Sequence, residues 1–302
     1  MTKQQLLNTE DEPMTEMEIS HLVTEDDTPV DNFQSEKQQR LLVEPLYSSQ
    51  VLPSPFLVAA NVGLFYEINS EPIVPDVLLS LGVEVADDFS LKQNRSYFVK
   101  KLGKVPEVCL EIVSNDEGNE LTLSRKAQQA GKQVCKKDIY GQISILYYVV
   151  FDPLEQIQDK ANMDGALLRV WKFSQNRYVE VTSGVGIGSL GESIWLEEVG
   201  LGLTLWSGRF EDSVTRLWLR WCDRNGVVIP TGAEATELER QQTKFERQRA
   251  EFANRRAESE SQRAESERLE KELERERADA ERVKKEILIA QLRSLGFEPD
   301  EI

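Results

Sequence analysis

The sequence predicts an α/β domain, a mixed sheet flanked by helices, followed by one long C-terminal helix. Three observations carry this. Three short runs, at residues 73–80, 108–113 and 145–151, are nearly continuous in apolar residues, as strands buried on both faces should be. Two alternating runs, 167–173 and 177–181, flank Ser174-Gln175-Asn176 and fit an antiparallel hairpin with one wet face. From Glu234 to Ile289 there is no Pro or Gly, and the strong helix formers Glu, Arg, Lys, Ala and Gln dominate.

In chain order, residues 1–40 hold 10 acids against 3 bases with few aromatics, so a disordered acidic tail is expected. Residues 51–66 mix Pro53 and Pro55 with apolar residues, as a loop leading into a helix or a first strand would. Residues 90–104 read as a polar loop between two strands, and residues 120–142 have helical composition broken at Gly131. Past the hairpin, residues 184–191 form a turn-rich loop, and 195–206 supply short apolar segments. Residues 213–224 place Val214, Leu217, Trp218 and Trp221 on one stripe, the pattern of an amphipathic helix. The domain is thus expected over 41–232. A charged helix, either solvated and single or a weak coiled coil, with a short C-terminal cap follows over 233–302.

Composition narrows the chemistry. The three cysteines, Cys109, Cys135 and Cys222, have no metal-ligand spacing, and Cys109 lies in a buried-strand pattern, so a reducing, cytoplasmic compartment is expected. The one histidine, His21, lies in the acidic tail, which argues against a histidine-based triad or a zinc centre. No apolar run is long enough to span a membrane. The net charge of −17 is awkward for a phosphate-binding protein, but the tail alone contributes −7 and residues 238–286 balance 14 acids with 14 bases.

Two carboxylates stand out. Glu111 interrupts the apolar run 108–113, and Asp76 interrupts the run 73–80. An unpaired buried carboxylate costs several kcal/mol, so two of them on adjacent core strands point to a metal or a shared proton. Taken singly, each is equally explained by a strand-end cap or by a nearby lysine or backbone donor. Asp152, before Pro153, and the segment Asn115-Asp116-Glu117-Gly118-Asn119 read as turn formers rather than ligands.

At these residues the chain resembles the Uma2 family, a branch of the PD-(D/E)xK nuclease superfamily. The resemblance rests on Pro75-Asp76, Glu111-Ile112-Val113-Ser114, a Lys–x3–Tyr helix at Lys136 and Tyr140, and Tyr147-Tyr148-Val149-Val150-Phe151-Asp152-Pro153. It continues through Gly200-Leu201-Gly202-Leu203, Trp218-Leu219-Arg220-Trp221 and Ile229-Pro230-Thr231-Gly232 to Leu295-Gly296-Phe297-Glu298-Pro299-Asp300, covering roughly residues 41–302. It implies a restriction-endonuclease-like fold and a metal-dependent endonuclease hydrolysing phosphodiester bonds of DNA. Asp76 and Glu111 would then hold Mg²⁺ or Mn²⁺, with Lys136 as the catalytic lysine. It also implies that the nuclease domain can form a homodimer. The alternative is a catalytically degenerate nuclease fold serving as a binding or assembly module. Three departures bear on this. Val113 stands where the superfamily pattern has lysine, residues 124–129 look inserted so that Lys126 rivals Lys136, and Ser144 replaces a usual glycine.

In the long helix, Ala250, Ala257, Ala264 and Ala278 share one heptad phase, which Lys271 interrupts. A second phase through Leu273, Ala280 and Ile287 takes over late. A seam made mainly of alanine buries little area and holds no strong dimer by itself.

Overall fold

A computed structural model describes residues 19, 22, 32–67, 71–116, 118–124, 128–129, 131–182 and 190–295. The expectations for the rest of the acidic tail, for Lys126, for most of the 184–191 loop and for the C-terminal cap lie outside them.

The chain divides into two units, Met1–Ala235 and Thr236–Ile302. In the first, helix α1 (Phe33–Ser49) starts at Asn32, whose side chain accepts from the amides of Gln34 and Ser35 at 2.9 Å each. The tail expected to be disordered through residue 40 therefore ends sooner. Residues 33–40 are helical because Gln38 and Gln39 are buried and find partners across the fold. Ile19 and Leu22 also pack, against Phe65 and Phe98, whose rings stack 4.5 Å apart.

The strands are β1 (Phe56–Ala60), β2 (Leu64–Phe65), β3 (Val77–Leu81), β4 (Tyr97–Phe98), β5 (Val108–Ile112), β6 (Tyr147–Phe151), β7 (Leu168–Ser174) and β8 (Arg177–Glu180). Strands β9 (Ser193–Leu196), β10 (Leu201–Arg209) and β11 (Thr215–Cys222) follow. Short helices intervene, among them α2 (Val99–Leu102) before β5 and α3 (Lys136–Gln142) before β6. A six-stranded mixed sheet has the order β1-β3-β5-β6-β7-β8, with β5 and β6 parallel and every other pair antiparallel. Strands β11-β10-β9 make an antiparallel sheet, and β2 pairs with β4.

Because side chains alternate across a strand, the six-stranded sheet sorts its apolar residues into two cores. Val77, Leu79, Val108, Leu110 and Ile112 join Leu42 and Leu46 of α1 and the β9–β11 sheet. Leu78, Cys109, Tyr148 and Val150 face the other way, into a cluster with Tyr140 and Ile143 at α3. Glu111 shares the parity of Cys109, so the strand period alone turns it toward α3.

The predicted helix at 213–224 is strand β11 instead. Its spacing suits a helical stripe, but Trp218 to Cys222 are buried in succession, as in a strand covered on both faces. Gln38 fastens it to α1, donating to the Leu219 carbonyl at 2.8 Å and accepting from the Leu219 amide at 2.9 Å.

Helix α4 (Gly232–Ser294) starts with a reciprocal cap. The Glu234 amide donates to Thr231 Oγ1 at 3.1 Å, and the Thr231 amide donates back to Glu234 Oε2 at 2.8 Å. Glu234 also receives Arg220, whose side chain is 1% exposed, at 2.7 Å. No helix among the described residues is long and apolar enough to cross a membrane.

Candidate active site

The site forms where β3 and β5 run antiparallel. Val77 pairs with Leu110 at the end of this ladder, so Asp76, just before β3, and Glu111, the next residue of β5, lie at the same end of the two strands. Asp76 Oδ2 accepts from the Ile112 amide at 2.6 Å, which fixes the carboxylate at the mouth of the two strands. Its Oδ1 accepts from Gln39 Nε2 of α1 at 3.0 Å. Gln39 is held in turn by Asn61, accepting from its Nδ2 at 2.9 Å.

Glu111 is buried and fully engaged. The Lys136 ammonium donates to its Oε2 at 2.6 Å, and the Tyr140 hydroxyl donates to its Oε1 at 2.6 Å. Both donors come from α3, because a spacing of four residues puts Lys136 and Tyr140 on one helical face. The helix itself is positioned by the preceding loop: the Lys136 and Lys137 amides donate to the carbonyls of Asn119 and Glu120 at 2.7 and 3.0 Å.

Electrostatics tie these groups together. Burial, with Asp76 adding to it, pushes the Glu111 carboxyl up to about 8 against the opposing pull of Lys136 and Tyr140. For Lys136 burial pulls downward, but Glu111, Asp76 and Glu120 together outweigh it and hold the amine above its ordinary value. Burial also raises the Glu120 carboxyl, against the pull of backbone amides and Lys136. The Tyr140 hydroxyl is raised well above its usual range by burial and by Glu111.

Of the residues singled out in the sequence, Lys136 pairs with Glu111, and Asp76 lies near enough to act on both electrostatically, whereas Lys126 lies outside the described residues. Asp152 is buried away from them and organises a turn, accepting from the amides of Gln156 and Ile157 at 2.9 and 3.0 Å. Ser144 has φ +62, a left-handed conformation that explains why a glycine suits the end of this helix. Sequence reasoning missed Gln39 and Glu120. Nothing in the polar run of α1 marks Gln39, and Glu120 stands out only once the loop folds toward Lys136.

Asp76 and Glu111 are hard oxygen donors, and Mg²⁺ commonly takes one or two carboxylates and completes its sphere with water and phosphate. That donor chemistry fits a divalent cation. Among the described residues no group of three or more His, Cys, Asp or Glu is arranged to hold a metal, so protein ligands alone make no closed cage. Neither the protein-family models nor the curated proteins include a match to this chain.

Proposed function

We propose that this protein is a metal-dependent endonuclease with a restriction-endonuclease-like fold of the Uma2 type, cutting phosphodiester bonds of nucleic acid, most naturally DNA. The observation that supports the reading is the buried Lys136–Glu111 pair with Asp76, bonded to the next amide of the same strand, acting electrostatically on both. Bound there, Mg²⁺ or Mn²⁺ would act as a Lewis acid and lower the pKa of a water nucleophile.

The chain's own residues have separable tasks in this reading. Asp76 and Glu111 would hold the cation. Gln39 and the Ile112 amide orient Asp76, leaving less of its freedom to be lost on binding. Tyr140 holds Glu111 from the helix side. Lys136 keeps its proton, so it is fit to donate to a phosphate oxygen as negative charge develops. The overall charge of −17 opposes polyanion binding, so this reading needs a locally basic approach and strong dependence on salt.

The test is incubation of the full chain with plasmid, single-stranded DNA and RNA, with Mg²⁺, Mn²⁺ or EDTA. Cation-dependent cleavage that is lost in Asp76→Asn, in Glu111→Gln and in Lys136→Met supports the reading. Cleavage that survives the first two substitutions rules this site out as its source. Absence of cleavage with nucleic-acid binding retained favours the degenerate module, an outcome that the internal engagement of both Glu111 oxygens makes physically reasonable.

A further inference from the structure

Helix α4 runs for 63 residues and none of its described side chains is buried. Its large apolar residues are nevertheless ordered. Leu238, Phe245, Phe252, Leu273 and Ile287 are all separated by multiples of seven, and each is between 51% and 72% exposed. Leu269 and Val283 occupy the complementary position three residues on from that phase. The phase holds without a skip from 238 to 290, with Ser259, Ser266 and Ala280 filling its smaller steps. The alanines at 250, 257 and 264 lie on the opposite face, so the seam is not the alanine one.

A strict seven-residue repeat sustained over many turns drifts around a straight helix and stays on one side only if two helices supercoil. The flanking charges say which two. With Leu238 and its repeats as the first core position, the residues just before them include Glu251, Glu258, Glu265, Glu272, Asp279 and Glu286. The residues just after the second core position include Arg249, Arg256, Arg263, Arg277 and Lys284, with Glu270 the exception. One flank is acidic and the other basic.

An antiparallel partner would set acidic flank on acidic flank and basic on basic. A parallel, in-register partner sets each residue of the first flank against the second-flank residue five further on in the other helix. Glu251 then meets Arg256, Glu258 meets Arg263, Glu272 meets Arg277, and Asp279 meets Lys284. Lys244 against Arg249 and Glu265 against Glu270 are the unfavourable pairs. Within a single helix these flanks make only exposed pairs, such as Arg247 to Glu251 at 3.1 Å and Arg256 to Glu260 at 3.0 Å, which contribute little and are readily exchanged.

We propose that residues 238–290 pair, parallel and in register, with the same segment of a second copy of this chain. Polar core positions, Gln241, Gln248, Arg255, Gln262 and Glu276 with Ser259 and Ser266, make the association moderate and concentration-dependent, with the apolar contacts densest at Leu269, Leu273, Val283 and Ile287. The pairing does not depend on whether the Asp76 site cuts nucleic acid.

Sedimentation equilibrium of the full chain should give a dimer, and Leu273→Glu with Ile287→Glu should give a monomer. Reversing Arg256 and Arg263 to Glu should weaken association about tenfold or more, and adding Glu251→Arg and Glu258→Arg should restore it. Under mild oxidation Leu273→Cys should cross-link to itself, since equivalent core positions meet only in a parallel register. Ala264→Cys, on the outer face, should not. The three native cysteines are buried and leave this readout clear. A monomer at every concentration, a dimer in which Leu273→Cys fails to cross-link, or equal cross-linking at both positions would overturn the proposal.

Discussion

The Lys136 ammonium lies 2.6 Å from Oε2 of Glu111, pairing a side chain 24% exposed with one that is 1% exposed. The pair is asymmetric. Lys136 can reach water, and Glu111 depends on its two donors.

Removing the lysine should therefore cost more than a surface pair would. Above about pH 8, where Glu111 is ionised, Lys136→Met leaves a buried carboxylate with a single hydrogen bond, and a loss of about 3 kcal/mol is expected. Urea unfolding measures it. Glu111→Gln in the same chain should return most of the loss, because no buried charge then remains to be compensated. A single-mutant loss near that of an exposed pair would show that Glu111 is solvated or protonated.

Stability should fall as pH rises. Glu111 is pushed up to about 8 from an ordinary value of 4.5, so across that window the native state holds a proton that the unfolded chain releases. Its contribution is full below the lower value and is lost as pH passes through the upper one. Melting temperatures of wild type and Glu111→Gln, followed from about pH 5 to about pH 9, should diverge in favour of the variant as pH increases. Parallel profiles would mean that the carboxyl titrates near its ordinary value in the fold.

The strands were legible in the sequence because burial leaves an apolar signature, and Lys136 with Tyr140 was legible because four residues are one helical turn. Strand β11 was not. Its Trp218 and Trp221 satisfy a helical spacing, and only the partners on either side, α1 and β10, decide between the two periods. Gln39 was illegible for a different reason. It reaches Asp76 across 37 positions of chain, a contact that no local pattern encodes.

Ser144 adopts φ +62 just after α3, a region that disfavours any residue with a Cβ. Ser144→Gly should raise stability by about 1 kcal/mol, since the strain exceeds the extra entropy that glycine loses on folding. Thermal unfolding decides. A destabilised variant would show that the serine hydroxyl makes a compensating contact.

The start of α4 separates a cap from a buried charge. Thr231→Ala removes one capping bond and should cost about 1 kcal/mol. Glu234→Ala removes the reciprocal bond and also deprives the buried Arg220 guanidinium of its carboxylate, so its loss should be distinctly larger. Equal losses in urea unfolding would mean that the Ile229 carbonyl, which also accepts from Arg220 at 2.9 Å, satisfies the guanidinium unaided.

The anchoring of Asp76, just before β3, on the Ile112 amide of β5, next to the buried Glu111, has a further effect, on how the chain threads its sheet. Sliding β5 by one residue against its neighbours would turn Glu111 into the apolar core that Leu110 and Ile112 now occupy, away from Lys136 and Tyr140. It would also withdraw the Ile112 amide from Asp76. Apolar strands such as these otherwise tolerate misalignment, since Val, Leu and Ile substitute for one another at little cost. A charge that is comfortable at one position only works as a pawl, letting the strands settle in a single alignment during folding.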